Sequence, residues 1–235
     1  MWAIVPVKAF RSAKHRLAPL LSAEERCRLA RTMAEDVFAM LAATGGLTRV
    51  LVVTADPEAA DLARAAGFQT LADTASDLDG AVNQAIAHAR SQGAASVCIL
   101  HADLPLATSA ELGAVLEAHA AAGPAARVTL VPDHEGRGTN CLVLTPPDVI
   151  EVAYGEDSRH RHASAAARAG ARLSILERPG LARDLDTAAD LRAVAQAAGR
   201  SRSVAFLESS GIASRSRREA EIARAAQGPV PSAKG

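Results

Sequence analysis

Short apolar runs alternate along the chain with longer stretches in which apolar side chains recur at helical spacing. Leu29, Met33 and Val37, for example, form such a stripe, which predicts a helix packed on a sheet. Strands that alternate with helices at this spacing predict right-handed βαβ units. We therefore expect an α/β fold with a three-layer, mostly parallel sheet and helices on both faces. The predicted strands cover residues 2–7, 49–54, 68–71, 96–100, 127–131, 141–145 and 172–177.

Several helix starts are marked by side chains that can cap free backbone N–H groups. Ser22 with Glu25, and Thr108 with Glu111, have the spacing of capping boxes. Ser158 is expected to be the N-cap of a further helix, and the free N–H groups beside it would suit a bound anion.

The composition limits the classes of protein to which the chain can belong. Of its 235 residues 49% are apolar but only 3% are aromatic, and the formal net charge is zero. Neither stacking on single-stranded nucleic acid nor electrostatic steering towards nucleic acid or a membrane is therefore expected. Three widely spaced cysteines indicate neither a disulfide framework nor a zinc site. Because no apolar stretch approaches the ~20 residues of a membrane span and no signal peptide is evident, we expect a cytoplasmic protein.

The C-terminal region differs in composition from the rest of the chain. Residues 200–235 are rich in Ser, Arg and Ala and carry seven basic and three acidic side chains. We therefore predict one α/β domain over residues 1–199. Residues 200–235 would form a basic, flexible tail with at most one short helix near 216–226.

A single carboxylate follows the apolar run that we expect at the centre of the sheet. Residues 96–100 lead into an abrupt turn that contains Asp103 and Pro105. Loops beyond the carboxyl ends of parallel strands form the crevice in which open α/β sheets bind ligands. Asp103 is therefore expected to lie in a ligand site.

Basic side chains gather in the loop after the first predicted strand. Lys8, Lys14 and Arg16 lie between residues 8 and 19, where no acidic residue occurs. This pattern suits a polyphosphate ligand, with lysine as a point charge and arginine as a bidentate donor. A solvated basic loop explains the pattern equally well when the stretch is considered alone.

Three other polar stretches fall in predicted loops or at helix starts. Asp184 and Asp186 precede a helix, where paired carboxylates suit a hard divalent cation, but Asp186 or Thr187 could also simply be the N-cap. Asn83, in the first turns of another helix, could bond to a base or ribose, or could be an ordinary exposed helix residue. The loop 132–140 contains two glycines, which allow a close approach to a ligand or merely turn a hairpin.

Taken together, these motifs favour transfer of a nucleotide over other nucleotide chemistry. The sequence has no P-loop, no Gly-x-Gly-x-x-Gly fingerprint and no Gly-x-Ser-x-Gly nucleophile elbow. Basic groups after the first strand could hold a leaving pyrophosphate, while the three carboxylates could hold Mg²⁺ against the α-phosphate. Nucleotidyl transfer is therefore the predicted reaction.

Five stretches between residues 2 and 198 occur in the order of a known enzyme family. They are Val5-Pro6-Val7-Lys8 with Ala13-Lys14 and Arg16-Leu17, then Ala102–Pro105, Gly136–Asn140, Tyr154-Gly155 with Ser158 and His162, and Asp184–Thr187. They resemble the guanylyltransferases that activate 2-phospho-L-lactate or phosphoenolpyruvate in the synthesis of the deazaflavin coenzyme F(420). The resemblance implies a fold like that of nucleotide-diphospho-sugar transferases, molybdenum-cofactor guanylyltransferases and GT-A glycosyltransferases, with residues 1–199 as the nucleotidyltransferase domain. It also implies GTP as cosubstrate, Mg²⁺ as cofactor and a small phosphorylated carboxylic acid as acceptor.

The resemblance further implies roles for individual residues. The implied nucleotide-binding residues are Lys8, Lys14, Arg16, Asn83 and Asp103, of which Lys8, Lys14 and Asp103 are also catalytic. The implied ligands of Mg²⁺ are Asp103, Asp184 and Asp186. The implied binders of the phosphorylated acid are Thr139, Gly155 and Ser158. The chain departs from the family in three places: Ala-Val precedes Asn83 where Gly-Leu is usual, Tyr154 stands where Phe is frequent, and Arg137 lies between two glycines where a smaller residue is frequent.

The identity of the acceptor stays open at this point, as do two alternative functions. 2-Phospho-L-lactate, phosphoenolpyruvate and 3-phosphoglycerate differ by only a few atoms, and a downstream transferase that accepts the unstable product is the expected protein partner. One alternative is a nucleotidyltransferase that acts on a sugar phosphate or a molybdopterin, although such enzymes usually carry a glycine-rich stretch after the first strand. The other is a catalytically silent nucleotide-binding regulator, against which the three intact aspartates count.

Overall fold

Seven strands form one sheet in the computed structural model, which describes residues 1–123, 125–197 and 201–226. Neighbouring strands are parallel except around β6, which runs antiparallel to both β4 and β5. The predicted mostly parallel sheet is thus confirmed, and the loop with two glycines joins an antiparallel pair. The strands, in the spatial order β3-β2-β1-β4-β6-β5-β7, are β1 (Trp2–Pro6), β2 (Arg49–Thr54), β3 (Gln69–Ala72), β4 (Val97–Leu100), β5 (Arg127–Pro132), β6 (Thr139–Thr145) and β7 (Arg172–Ile175).

Helices cover both faces of this sheet, as predicted. The described part of the chain also contains two short 3-10 turns, at Phe10–Ser12 and His15–Leu17, in the loop after β1. None of the described helices is long and apolar enough to cross a membrane. The helices are α1 (Ala23–Ala42), α2 (Pro57–Ala65), α3 (Leu78–Ser91), α4 (Ser109–Ala121), α5 (Ser158–Arg168), α6 (Pro179–Ala182), α7 (Ala188–Gln196), α8 (Arg202–Ser209) and α9 (Ile212–Ala226).

The central strands are buried on both faces because their side chains alternate between two apolar clusters. On β1, Ala3 and Val5 pack on the side of α1 and α4, whereas Trp2 and Ile4 pack on the side of α3. Such burial explains why these strands are continuous apolar runs rather than alternating ones. It also fixes the carboxyl ends of β1 and β4 next to each other, since the two strands pair in parallel.

Of the three helix starts for which the sequence predicts a cap, one is confirmed in full and two differ from the prediction. Ser22 and Glu25 form the predicted capping box of α1. Thr108 caps α4, but the Glu111 carboxylate instead accepts the backbone N–H of Gly180 at 2.8 Å, so the reciprocal half of that predicted box is replaced by a contact to α6. Ser158 is not the N-cap of α5: Asp157 is, and the Ser158 side chain is buried as the first helical residue.

The region beyond residue 200 differs from the predicted flexible tail. Two helices, α8 and α9, pack against α1 and α7 through a third apolar cluster that includes Val204, Leu207 and Ile212. The Asp36 carboxylate of α1 accepts both the backbone N–H and the hydroxyl of Ser203, which fastens the start of α8. A few apolar side chains at helical spacing are therefore enough to dock α8 and α9 on the rest of the fold, even though most of their residues are polar. Residues 227–235 of the predicted tail lie outside the described residues.

A buried histidine on α4 generates a prediction about stability. The His119 ring is fully buried, with Nδ1 2.8 Å from the Thr129 hydroxyl and Nε2 2.9 Å from the Thr145 hydroxyl. Burial, helped by the charge of Arg127, lowers the pKa of His119 to about 4. Below pH 6.5 the unfolded chain protonates this residue while the folded chain does not, so stability falls as the pH drops from 6.5 to 4.

We expect His119→Leu to flatten this pH dependence while lowering stability at pH 7. The wild type should lose up to about 1.4 kcal/mol per pH unit from this residue, a loss that the variant no longer has. Urea unfolding at pH 7, 6 and 5 measures the difference, with the exposed His160 changed to Leu as the control. Equal slopes for wild type and His119→Leu would contradict the assignment.

Candidate active site

A cleft of about 400 Å³ opens at the carboxyl ends of β1 and β4. The loop after β1 supplies one wall, the turn after β4 supplies another, and the segment before α7 contributes a single carboxylate. These are neighbouring strand ends in an open α/β sheet, where ligand sites commonly form. The polar residues that line the cleft include Lys8, Lys14, His101, Asp103 and Asp186.

An aspartate on the neighbouring helix holds the loop after β1 in place. One carboxylate oxygen of Asp56 accepts the N–H of Glu58 at 2.9 Å and thereby caps α2. Its other oxygen accepts the backbone N–H of Phe10 at 2.8 Å, and the Phe10 ring is buried in the core. The loop is therefore anchored before it reaches Lys14, which adopts the left-handed conformation at φ 56° and ψ 41°. That backbone conformation costs a non-glycine residue about 1 kcal/mol, which the contacts of the Lys14 side chain offset.

The Lys14 ammonium bridges two of the three predicted aspartates. Its Nζ lies 2.7 Å from Asp103 Oδ2 and 2.7 Å from Asp186 Oδ1, and the Lys14 side chain is only 7% exposed. Burial alone would lower the pKa of Lys14, but the charges and hydrogen bonds of both carboxylates raise it above its usual range. Burial alone would raise the pKa of Asp103, but Lys14 and His101 lower it. The lysine and Asp103 therefore stay ionised together.

The third aspartate, Asp184, lies beside this ion pair, and its Oδ1 is 3.6 Å from Nδ1 of His134. Asp184 Oδ1 accepts a hydrogen bond from the Asn140 amide at 3.2 Å. Burial and the nearby charges of Asp103 and Asp186 raise the pKa of Asp184, against the effect of Asn140. The structure thus brings Asp103, Asp184 and Asp186 together from two distant parts of the chain.

The segment before α7 is shaped so that Asp186 remains available to the cleft. Thr187, not Asp186, is the N-cap of α7, and it forms a capping box with Asp190. The backbone N–H of Leu185 donates to the carbonyl of Asp103 at 3.2 Å, which ties this segment to the turn after β4. The sequence left open whether Asp186 or Thr187 is the N-cap. Thr187 is the N-cap, and Asp186 contacts Lys14.

The donor set of this cluster suits a hard divalent cation. Three carboxylates share the site, and Asp103 Oδ1 is buried without a hydrogen-bond partner. As they stand, no three His, Cys, Asp or Glu side chains of the described residues are arranged as metal ligands. Lys14 already supplies the positive charge between Asp103 and Asp186. A cation bound here would therefore share the carboxylates of Asp103 and Asp186 with the lysine.

The three residues assigned to the phosphorylated acid meet in a second group beside the cleft. The hydroxyls of Thr139 and Ser158 are 3.3 Å apart and buried, and Gly155 turns the chain between them with φ 91°. The Tyr154 ring, next to Gly155, lies 5.1 Å from the His101 ring, which lines the cleft. The two groups of predicted residues are thus joined by one aromatic contact.

Two predicted nucleotide-binding residues do not line the cleft. Arg16 is exposed in the 3-10 turn after Lys14, and Asn83 lies in the second turn of α3. Lys8 does line the cleft and is exposed there. Their roles in nucleotide binding stay predictions.

Sequence reasoning missed four residues that shape the site: Asp56, His101, Asn140 and His162. Asp56 precedes Pro57 at a predicted helix start, so its role as an N-cap could have been predicted from the sequence. Its second contact, to the Phe10 N–H, spans 46 residues and carries no local sequence signal. Asn140 and His162 belong to motifs that carried the family resemblance, but their partners become visible only in the fold.

Comparison with known proteins identifies the family. A family model described as "Guanylyl transferase CofC like" matches residues 1–226. The phosphoenolpyruvate guanylyltransferase of Conexibacter woesei is 43% identical over 194 residues, which cover 82% of this chain and 86% of that protein. The protein of the same name from Chloroflexus aggregans is 38% identical over 192 residues, which cover 80% of this chain and 93% of that one.

Solved structures share the fold at low sequence identity. A protein of Desulfovibrio desulfuricans G20, described as a nucleotide-diphospho-sugar transferase, superposes with a TM-score of 0.74 at 18% identity, covering 92% of this chain and 96% of that one. A nucleotidyl transferase from Methanothermobacter thermautotroptrophicus superposes with a TM-score of 0.60 at 16% identity, covering 88% and 98%. These likenesses confirm the predicted nucleotide-diphospho-sugar transferase type of fold.

The ion pair at the centre of the cleft predicts a coupled effect on stability. Lys14→Met should lower the free energy of unfolding by about 2 kcal/mol, because Asp103 loses its counterion. This is less than the loss of a fully buried pair, since Asp103 and Asp186 are partly exposed. Adding Asp103→Asn to Lys14→Met should restore part of the loss. Urea unfolding at pH 7 measures both effects, with Lys8→Met as the exposed control; losses that simply add would contradict the coupling.

Proposed function

Because the chain belongs to the family of CofC-like guanylyl transferases, we propose that it transfers GMP from GTP to the phosphate of a small phosphorylated carboxylic acid and releases pyrophosphate. As a member of this family the chain is a nucleotidyltransferase. Among the candidate acids we propose phosphoenolpyruvate, since the relatives reported above carry that name. 2-Phospho-L-lactate and 3-phosphoglycerate are the competing acceptors. The product would enter the synthesis of the deazaflavin coenzyme F(420), through a downstream transferase that accepts it.

The observation that supports this proposal most is the Lys14 contact with Asp103 and Asp186 at the carboxyl ends of β1 and β4. A cationic side chain and carboxylates at one point are what a triphosphate ester needs, one to meet phosphate oxygens and the others to hold a divalent cation. Lys8, exposed in the same cleft, adds a second positive charge.

The proposed reaction is a single in-line displacement. An oxygen of the acceptor phosphate attacks the α-phosphorus of GTP, the bond from that phosphorus to the bridging oxygen breaks, and pyrophosphate leaves with the electron pair. A phosphate monoester has a second pKa near 6, so it is largely dianionic at neutral pH and needs no general base. Lys8 and Lys14 would neutralise the charge of the leaving pyrophosphate. Catalysis is then positioning and charge neutralisation.

The carboxylates have a matching role in the proposal. Asp103, Asp184 and Asp186 would hold Mg²⁺, which when bound supplies positive charge beside the α-phosphate. Asn140 orients Asp184 through the 3.2 Å hydrogen bond, and Thr187 leaves Asp186 unengaged in capping.

The acceptor would bind at the start of α5. The positive end of the helix dipole favours a phosphate or carboxylate there, although the N–H groups of Ser158 and Arg159 already donate to the carbonyls of Gly155 and Arg137. Thr139 and Ser158 contribute hydroxyls, and Gly155 contributes backbone that no side chain blocks. A site built largely from backbone and hydroxyl groups distinguishes similar acids by shape more than by charge.

A parallel turnover assay tests the proposed reaction. Pyrophosphate release should be fastest with GTP, Mg²⁺ and phosphoenolpyruvate, and slower when CTP replaces GTP or another of the three acids replaces phosphoenolpyruvate. Preference for a sugar phosphate or molybdopterin would assign the chain to another nucleotidyltransferase reaction. Release of no pyrophosphate with any acceptor would overturn the proposal.

Substitution of the central carboxylate tests the role of the cleft. Asp103→Asn should lower turnover with Mg²⁺ by about 10²- to 10³-fold, because a neutral amide no longer balances Lys14 or holds a cation. Asp61→Asn, on the exposed side of α2, is the matched control and should keep full turnover. Circular dichroism checks that both variants are folded. A folded Asp103→Asn variant with unchanged turnover would place the chemistry elsewhere.

A further inference from the structure

A buried histidine contacts each of the segments that carry the proposed acid-binding residues. His162 lies one turn after Ser158 on α5 and its side chain is fully buried. Its Nδ1 is 3.0 Å from the hydroxyl of Thr139, at the start of β6. Its Nε2 is 3.0 Å from the backbone nitrogen of Ala153, two residues before Gly155. One imidazole therefore links β6, α5 and the loop that leads to Gly155.

These contacts determine which ring nitrogen carries the proton. A backbone N–H can only donate, so Nε2, which faces the N–H of Ala153, must be the unprotonated acceptor. The neutral ring then carries its proton on Nδ1 and donates it to the oxygen of Thr139. A doubly protonated ring would face the N–H of Ala153 with a second N–H and lose that contact.

The fixed direction of this bond leaves one hydroxyl proton unassigned. Thr139 Oγ1 accepts from His162, and the hydroxyl of Ser158 donates to the same oxygen at 3.3 Å. The two hydroxyls have two protons, and only one of them can lie between the two oxygens. Because Ser158 donates to Thr139, the O–H of Thr139 remains for a further acceptor. No residue of the described chain is recorded as that acceptor.

We propose that His162 is a positioning residue that fixes the Thr139 and Ser158 hydroxyls so that one of them donates its proton to the phosphorylated acid. The inference rests on the proposed function, because it takes the acid to bind at Thr139, Gly155 and Ser158. The histidine touches no reacting atom. Through Nδ1 it sets the donor direction of the hydroxyl pair, and its Nε2 contact with Ala153 fixes the tautomer of the ring.

The surroundings of His162 favour the neutral ring that this role requires. Burial first, then the charges of Arg161 and His101, lower the pKa of His162 to about 4. The Tyr154 ring meets the imidazole edge to face, with the ring centroids 5.1 Å apart. The hydrogen-bond pattern is thus kept throughout the neutral pH range.

The first part of the test reads the tautomer directly. A long-range ¹H–¹⁵N spectrum of the wild-type protein at pH 7 should show His162 as the neutral ring protonated on Nδ1, with His162→Asn used to assign the signal. A ring protonated on Nε2, or on both nitrogens, would overturn the inference. This readout needs neither substrate nor turnover.

The second part separates the two hydrogen bonds of the ring. In His162→Asn the amide N–H₂ can replace Nδ1–H as donor to Thr139, whereas in His162→Gln the amide oxygen can replace Nε2 as acceptor for Ala153. We expect His162→Gln to raise the KM for the acid about 10-fold, with the KM for GTP unchanged, and His162→Asn to retain most of the wild-type KM for the acid. A purely structural role would change stability and both KM values together in both variants.

The third part asks whether His162 acts through Thr139. Thr139→Val should raise the KM for the acid, and adding His162→Gln to it should raise that KM no further, because the two changes remove the same donor. Effects that multiply would overturn the inference. If the wild type uses no phosphorylated acid at all, the proposed function fails, while the tautomer measurement still decides the orientation of His162.

Discussion

The arrangement of the cleft depends on one ion-paired cluster, in which a nearly buried lysine lies between two aspartates. Carboxylates at the end of β4 and before α7 would repel each other, and the Lys14 ammonium at 2.7 Å from both balances that repulsion. The left-handed backbone of Lys14 and the hydrogen bond from the Phe10 N–H to Asp56 both help to place the Lys14 ammonium between the two carboxylates. Lys14 therefore supplies the positive charge that allows the two carboxylates to lie close together.

The antiparallel strand β6 joins this cluster to the proposed acceptor site. Because β6 runs opposite to its neighbours, it begins at the edge where β4 ends, so its first residues lie beside the cleft. Successive side chains of a strand point to opposite faces. Asn140 accordingly reaches Asp184, while Thr139 reaches His162 on α5. A single reversed strand thus supplies contacts to both groups of predicted site residues.

Strands that follow from apolar periodicity could be predicted from the sequence. Features that depend on contacts between distant residues could not. Buried apolar runs located all seven strands, with β6 beginning two residues earlier than expected, at Thr139. Beyond residue 200 the short helix predicted near 216–226 is present as α9, whereas α8 was missed because few apolar residues, such as Leu207, mark a docked helix among Ser and Arg. The Asp103, Asp184 and Asp186 grouping was predicted from strand ends and family resemblance. The position of Lys14 between two of them, and the histidine that links Thr139 to Ala153, follow only from the three-dimensional arrangement.

In the proposed function, Lys14 and a divalent cation would share the carboxylates of Asp103 and Asp186. Binding of Mn²⁺ to the nucleotide-free protein, followed by electron paramagnetic resonance, tests it most directly. Wild-type protein should bind Mn²⁺ weakly, since Lys14 engages Asp103 and Asp186, whereas Lys14→Met should bind it at least 10-fold more tightly at one site. Equal affinities in the two folded proteins would contradict the claim.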